Sequence, residues 1–194
     1  MTKGSEVPMA FRTGDSKKTA GPFRGGPLGA APFSQVQILH LMRTEFARAR
    51  RYGFPLACVL VRCDRIDALS DMHGAELRDK VRAELGRVVA ESTRGADHLG
   101  MISEDRYLVL LPHTAETQAV AVAERIRRRF GELEVQVGGN PLQLSLSLGV
   151  AGGGDQETLF FDTLLSRAEA ALEWASEAGG DRVETFVKGR LESE

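Results

Sequence analysis

Cysteine is scarce in this 194-residue chain, and the spacings that hold metals are missing altogether. The two cysteines, Cys58 and Cys63, lie an odd number of residues apart in one apolar run. In a strand they would point to opposite faces and cannot bridge, so both read as packing residues of a reducing compartment. No HxxxH or CxxC pair, P-loop or internal repeat occurs, and His40, His73, His98 and His113 are scattered. No apolar run approaches the length of a bilayer span, and the N-terminus lacks the charged, apolar, then small order of a secretory signal. The expectation is a cytoplasmic chain with no membrane association. A strong charge of one sign is absent too, the formal net charge being -2. Residues 1–33 carry five Lys/Arg against two Asp/Glu, leaving 20 against 25 in the remainder. That balance argues against a nucleic-acid polymer as the main partner.

What is present suffices for one core, since 42% of the residues are hydrophobic and 27% charged. Residues 1–33 hold four of the seven prolines and six glycines without periodicity, which predicts a flexible, disordered tail in which Phe11, Phe23 and Phe33 are incidental. Residues 34–188 are expected to form the domain, and 189–194 a C-terminal tail.

Within the domain, Ser34 is placed to cap a first helix whose apolar positions run Ile38, Leu39, Met42, Phe46 and Ala49. Leu56–Val61 is a continuous apolar run, as a strand covered on both faces shows. Leu77, Val81, Leu85, Val88 and Val89 stripe a second helix ending near Ser92. Strands at about 98–102 and 107–111 flank the polar turn Ser103-Glu104-Asp105-Arg106 and predict a hairpin. Thr114 is expected to cap a third helix carrying Ala119, Val122, Ala123, Ile126 and Phe130. Residues 142–150 alternate as a half-buried strand would, a fourth helix is expected from Asp162 to about Ala178, and 183–187 is expected to return as an edge strand. Interleaved elements of this kind indicate an α/β or α+β sandwich.

Taken in order, the segments "ARARRYGFPLACVLVRCD", "DHLGMISEDRYLVLLP", "AVAVAERIRRRF", "LSLSLGVA" and "RAEAALEWASEAGGDRV" resemble the GGDEF family of diguanylate cyclases over residues 28–187. The resemblance implies a mixed central sheet flanked by helices, related to nucleotidyl-cyclase and polymerase palm domains. In active members the signature turn is Gly-Gly-Asp/Glu-Glu-Phe, and here Ser103, Glu104, Asp105, Arg106 and Tyr107 stand there. Condensing two GTP molecules needs metals held by carboxylates to neutralise the transferring phosphoryl group. By the resemblance, one metal-binding carboxylate falls on Arg62 and the other on Asp105. The phosphate-binding Lys aligns with Asp67, the guanine-reading Asn with Ser70, and the last helix's Lys and Arg with Ser176 and Gly180. Asp79 matches a guanine-contacting Asp but reads as a helix-surface carboxylate beside Lys80 and Arg82. The expectation is therefore a chain that is not an enzyme, with no catalytic residues, no metal and no cofactor.

A second motif of the family is intact. Arg94-Gly95-Ala96-Asp97 ends five residues before the signature, where many members carry an Arg-x-x-Asp site that binds the product, cyclic di-GMP, as a feedback inhibitor. An arginine fork can read guanine O6 and N7, and a carboxylate can accept from guanine N1 and N2. The resemblance adds Arg125 to this site and Arg48 as a contact from a second protomer. A second Arg-x-x-Asp, Arg12 to Asp15, falls in the tail and reads as chance. These residues predict a receptor that binds cyclic di-GMP, forms a ligand-bridged homodimer and signals to a partner protein. The alternatives are a nucleotide-independent docking module and a surviving cyclase or GTP sensor.

Overall fold

The computed structural model describes residues 32–153 and 160–190. The expected N-terminal tail up to residue 31 and residues 191–194 lie outside the described residues. The elements run α1 (Gln35–Tyr52), β1 (Leu56–Cys63), α2 (Ile66–His73), α3 (Glu76–Ser92), β2 (His98–Met101), β3 (Arg106–Pro112) and α4 (Glu116–Gly131). They continue with β4 (Glu134–Val137), β5 (Asn140–Gln143), β6 (Leu146–Gly153), α5 (Phe161–Glu177) and β7 (Arg182–Thr185). Five strands form one sheet in the order β2-β3-β1-β6-β7. All neighbours pair antiparallel except β6 and β7, which are parallel. The expected mixed sheet flanked by helices is what the chain adopts.

β1 is central because both its faces are apolar. Ala57, Val59, Val61 and Cys63 pack with the stripes of α3 and α4, while Leu56, Cys58 and Leu60 pack with α1 and α5. The two cysteines thus face opposite layers, and both thiols are free and buried. Each large apolar side chain so enclosed contributes about 1.5–3 kcal/mol over its exposed state. Ser34 caps α1 as expected, its backbone N–H donating to Gln37 Oε1 at 3.0 Å.

Four expectations are corrected. β6 is buried on both faces, since its alternate positions are Ser147 and Gly149, residues small enough to let α5 close over them. A Cβ at Gly149 would fall inside the contact distance of the Ala168 carbonyl oxygen and the Leu172 nitrogen. Phe33 is no linker aromatic: it is buried, donates its N–H to Leu99 O at 2.9 Å and accepts from Met101 N at 2.8 Å. The helix α2 and the separate β4–β5 hairpin were not anticipated, because neither is long enough to show a period. Finally, α4 starts after Ala115, whose N–H donates to Gln118 Oε1; Thr114 is buried and donates to Pro112 O instead.

Candidate functional site

α3 ends at Ser92, and the chain turns through Thr93 to Asp97 before entering β2. The turn is closed by Asp97 itself. Its Oδ2 accepts the Arg94 N–H at 2.7 Å, and its own N–H donates to Arg94 O at 3.0 Å. Thr93 Oγ1 donates to Val89 O at 2.7 Å and so caps α3. Arg125, from α4, donates to Ser92 O. Arg94, Asp97 and Arg125 consequently line one cleft of about 210 Å³, shared with Thr114, Gln118 and Val122. Burial raises the Asp97 pKa above the ordinary carboxylate value, opposed by the Arg94 N–H and by the positive charges of Arg94, His98 and Arg125. Arg48 does not line this cleft. It lies on α1, where it pairs with Glu45 at 2.7 Å.

A larger cleft of about 460 Å³ opens where β1 ends, between the β2–β3 turn and the turn after α5. Arg62, Asp64, Asp67, Asp105, Ser176 and Gly180 are among its lining residues. Asp64 organises it. Its Oδ1 accepts from Ser147 Oγ at 2.6 Å, and its Oδ2 from Ser145 Oγ at 2.7 Å and the Asp181 N–H at 2.9 Å. Gly180, at φ +76°, leaves no room for a Cβ beside that carboxylate. Arg127 of α4 holds the same turn through Asp181 Oδ1 at 2.7 Å.

Arg62, Asp67 and Asp105 of this cleft are engaged by neighbours, and Arg106 and Glu173 stand beside it. Arg62 donates to Ser176 Oγ and lies 3.7 Å from Glu173, and Arg106 pairs with the same Glu173 at 2.8 Å. Asp67 accepts from Arg78 at 2.5 Å, and Asp105 from Ser103 Oγ at 2.7 Å. Asp79 is an exposed partner of Arg82, as its surface reading implied. Among the described residues no three His, Cys, Asp or Glu side chains converge as a metal would need. A donor set of two guanidinium groups and internally bonded carboxylates does not fit a divalent cation.

The family description "Diguanylate cyclase, GGDEF domain" matches residues 33–182. The chain belongs to the GGDEF family. Diguanylate cyclase DosC of Escherichia coli K12 is 26% identical over 147 residues, 75% of this chain and 32% of its own length. The chain thus spans about a third of that curated relative. Among solved structures, diguanylate cyclase SiaD of Pseudomonas aeruginosa, in complex with its activator SiaC, is 30% identical at a TM-score of 0.74, covering 82% of this chain and 60% of SiaD. The GGDEF domain of DgcB from Caulobacter crescentus, in complex with c-di-GMP, shares the fold at 16% identity and a TM-score of 0.73, covering 79% of this chain and 90% of that domain.

These relatives correct one expectation. The reading of the chain as no enzyme does not stand, because its family is described as diguanylate cyclase and DosC and SiaD are enzymes by name. That reading drew on aligned replacements alone, and substituted positions in a turn do not by themselves remove a chain from an enzyme family.

Sequence reasoning also passed over Asp64 and Glu173. Asp64 closes the apolar run "VLVRCD", and a carboxylate at a strand end followed by a helix was the available signal. Glu173 sits in a helix with no motif, and only the fold brings it to Arg62 and Arg106. Among the described residues no helix is long and apolar enough to cross a membrane.

Proposed function

We propose that this GGDEF domain binds cyclic di-GMP at the cleft of Arg94, Asp97 and Arg125 and relays its occupancy to a signalling protein. One observation carries the reading: three side chains spread over 32 residues of sequence meet at one cleft, with two guanidinium groups beside a carboxylate. Arg94 supplies a fork for guanine O6 and N7, and Asp97 an acceptor for guanine N1 and N2. The c-di-GMP complex of DgcB and the activator complex of SiaD give the ligand and the partner precedents in the same fold. A ligand that presents two guanines can bridge two copies, with Arg48 of the second copy leaving Glu45 to complete the site.

Calorimetric titration with cyclic di-GMP tests the assignment. Arg94→Ala and Asp97→Ala are each expected to weaken binding at least about tenfold, the cost of one bidentate guanine contact. Unaltered affinity in both variants removes the site. Sedimentation with and without the dinucleotide reads the bridged dimer, and Arg48→Ala is expected to shift that equilibrium to monomer while one-site binding persists.

A second reading, that the domain also forms the dinucleotide from GTP, is favoured by the names of its relatives. Product formation from GTP and magnesium by the purified chain, lost in Asp105→Ala, would support it.

A further inference from the structure

Arg62 and Arg106 are direct partners across the β1–β3 ladder. Like charges opposite one another on a sheet are unfavourable. Glu173 compensates from α5, with Oε1 2.8 Å from Arg106 Nη2 and 3.7 Å from Arg62 Nη1. Arg62 also donates to Ser176 Oγ, three residues along the same helix. Two strands and a helix are thereby tied around one carboxylate, and the trio of Arg62, Arg106 and Glu173 carries one net positive charge beside the larger cleft, which Arg62 lines. A protein-held divalent cation needs converging carboxylate oxygens. Here Asp64 accepts three hydrogen bonds, Asp67 serves Arg78, Asp105 serves Ser103, and Glu173 serves the two arginines.

We propose that Arg62, Glu173 and Arg106 form a fixed-cation centre, so that the chain itself holds no divalent ion in this cleft. A divalent ion that enters with a nucleotide is held by the nucleotide's own phosphates. The two arginines are what exclude it. Replacing them by carboxylates would set acids at the opposed positions 62 and 106, beside Asp105, and so build a cation site. This inference rests on the donor set of the larger cleft, and it stands or falls separately from cyclic di-GMP binding at Arg94.

Electron paramagnetic resonance of Mn²⁺, titrated into the nucleotide-free full chain, reads it directly. The wild type is expected to leave the free-ion signal unchanged. Arg62→Asp/Arg106→Glu is expected to take up one equivalent at least tenfold more tightly than wild type, and a further Asp105→Asn to release it. Stoichiometric uptake by the wild type that Asp105→Asn abolishes overturns the proposal. So does a double variant with a native circular dichroism spectrum that takes up no ion. If the double variant does not fold, Arg62→Asp alone is read by the same criteria.

Discussion

Arg125 donates through both Nε and Nη2 to the carbonyl oxygen of Ser92, at 3.2 and 2.5 Å. That carbonyl belongs to the last turn of α3, where no N–H of the same helix can reach it. Arg129, one turn further along α4, does the same for Glu91 O at 2.9 Å. Two guanidinium groups thus sit on the negative end of α3, immediately before the Arg94 turn. A side chain counted as a ligand contact is also the one that holds the ligand loop in place, which leaves Nη1 to meet a dinucleotide.

Arg125→Ala is therefore expected to act twice. Removing a charge-assisted hydrogen bond to a carbonyl should lower unfolding stability by about 1.5–3 kcal/mol. Cyclic di-GMP affinity should fall at least about tenfold, one lost charged contact. Urea denaturation and calorimetry read the two effects separately, and Arg125→Lys should recover part of the stability without the fork. A variant with wild-type stability would show that the Ser92 contact does not secure the loop.

Gly149→Ala tests the close approach of α5 to β6. The added methyl meets helix backbone, the Ala168 carbonyl oxygen and the Leu172 nitrogen, and not a side chain that can turn aside. Overpacking against an unyielding wall costs about 1–3 kcal/mol or more. A fall in the urea midpoint with unchanged slope is the expected outcome, whereas a neutral result would mean that α5 can lift from the sheet.

The two glycine-sized positions of β6 also show what could be read from the chain beforehand. The period of Leu142 to Val150 predicted one strand where the chain forms two, β5 ending at Gln143 and β6 starting at Leu146, and Ser147 and Gly149 between the leucines looked like a solvent face. Only tertiary packing turns that small-residue face into a seat for a helix. The same limit applies to the sites. Arg94 and Asp97 were legible because a short turn keeps them together, and Arg125 because the family spacing supplied it. Glu173 lies 111 residues from Arg62 in sequence, and no local rule relates them. Phe33 was missed for the opposite reason: it ends a Pro- and Gly-rich stretch without periodicity, and its partners Leu99 and Met101 are far along the chain.

Glu173→Gln removes the one charge that separates Arg62 from Arg106. The opposed guanidinium groups should then repel across the β1–β3 ladder, lowering stability by about 0.5–1 kcal/mol. Glu173 is 43% exposed, so solvent and salt screen much of the interaction. The loss is accordingly expected to grow at low ionic strength and to shrink in high salt, as read by denaturant midpoints at two salt concentrations. A loss that ignores salt would assign Glu173 a packing role only.

His98 carries the pH dependence expected of this corner. It is half-buried with its ring edge-on to Phe33, the centroids 5.9 Å apart. Burial lowers its pKa below the ordinary imidazole value, with Glu45 and Asp97 opposing the shift. The unfolded chain then binds the proton more readily than the folded one. The His98 contribution to stability is therefore level above about pH 6.5 and declines as pH falls through the window beneath it. The slope cannot exceed one proton, about 1.4 kcal/mol per pH unit. His98→Phe keeps an aromatic partner for Phe33 and removes the titration. Wild type should accordingly lose stability relative to His98→Phe as pH falls from about 6.5 toward 5. Parallel urea-unfolding curves for the two proteins across that interval would exclude His98 as the group responsible.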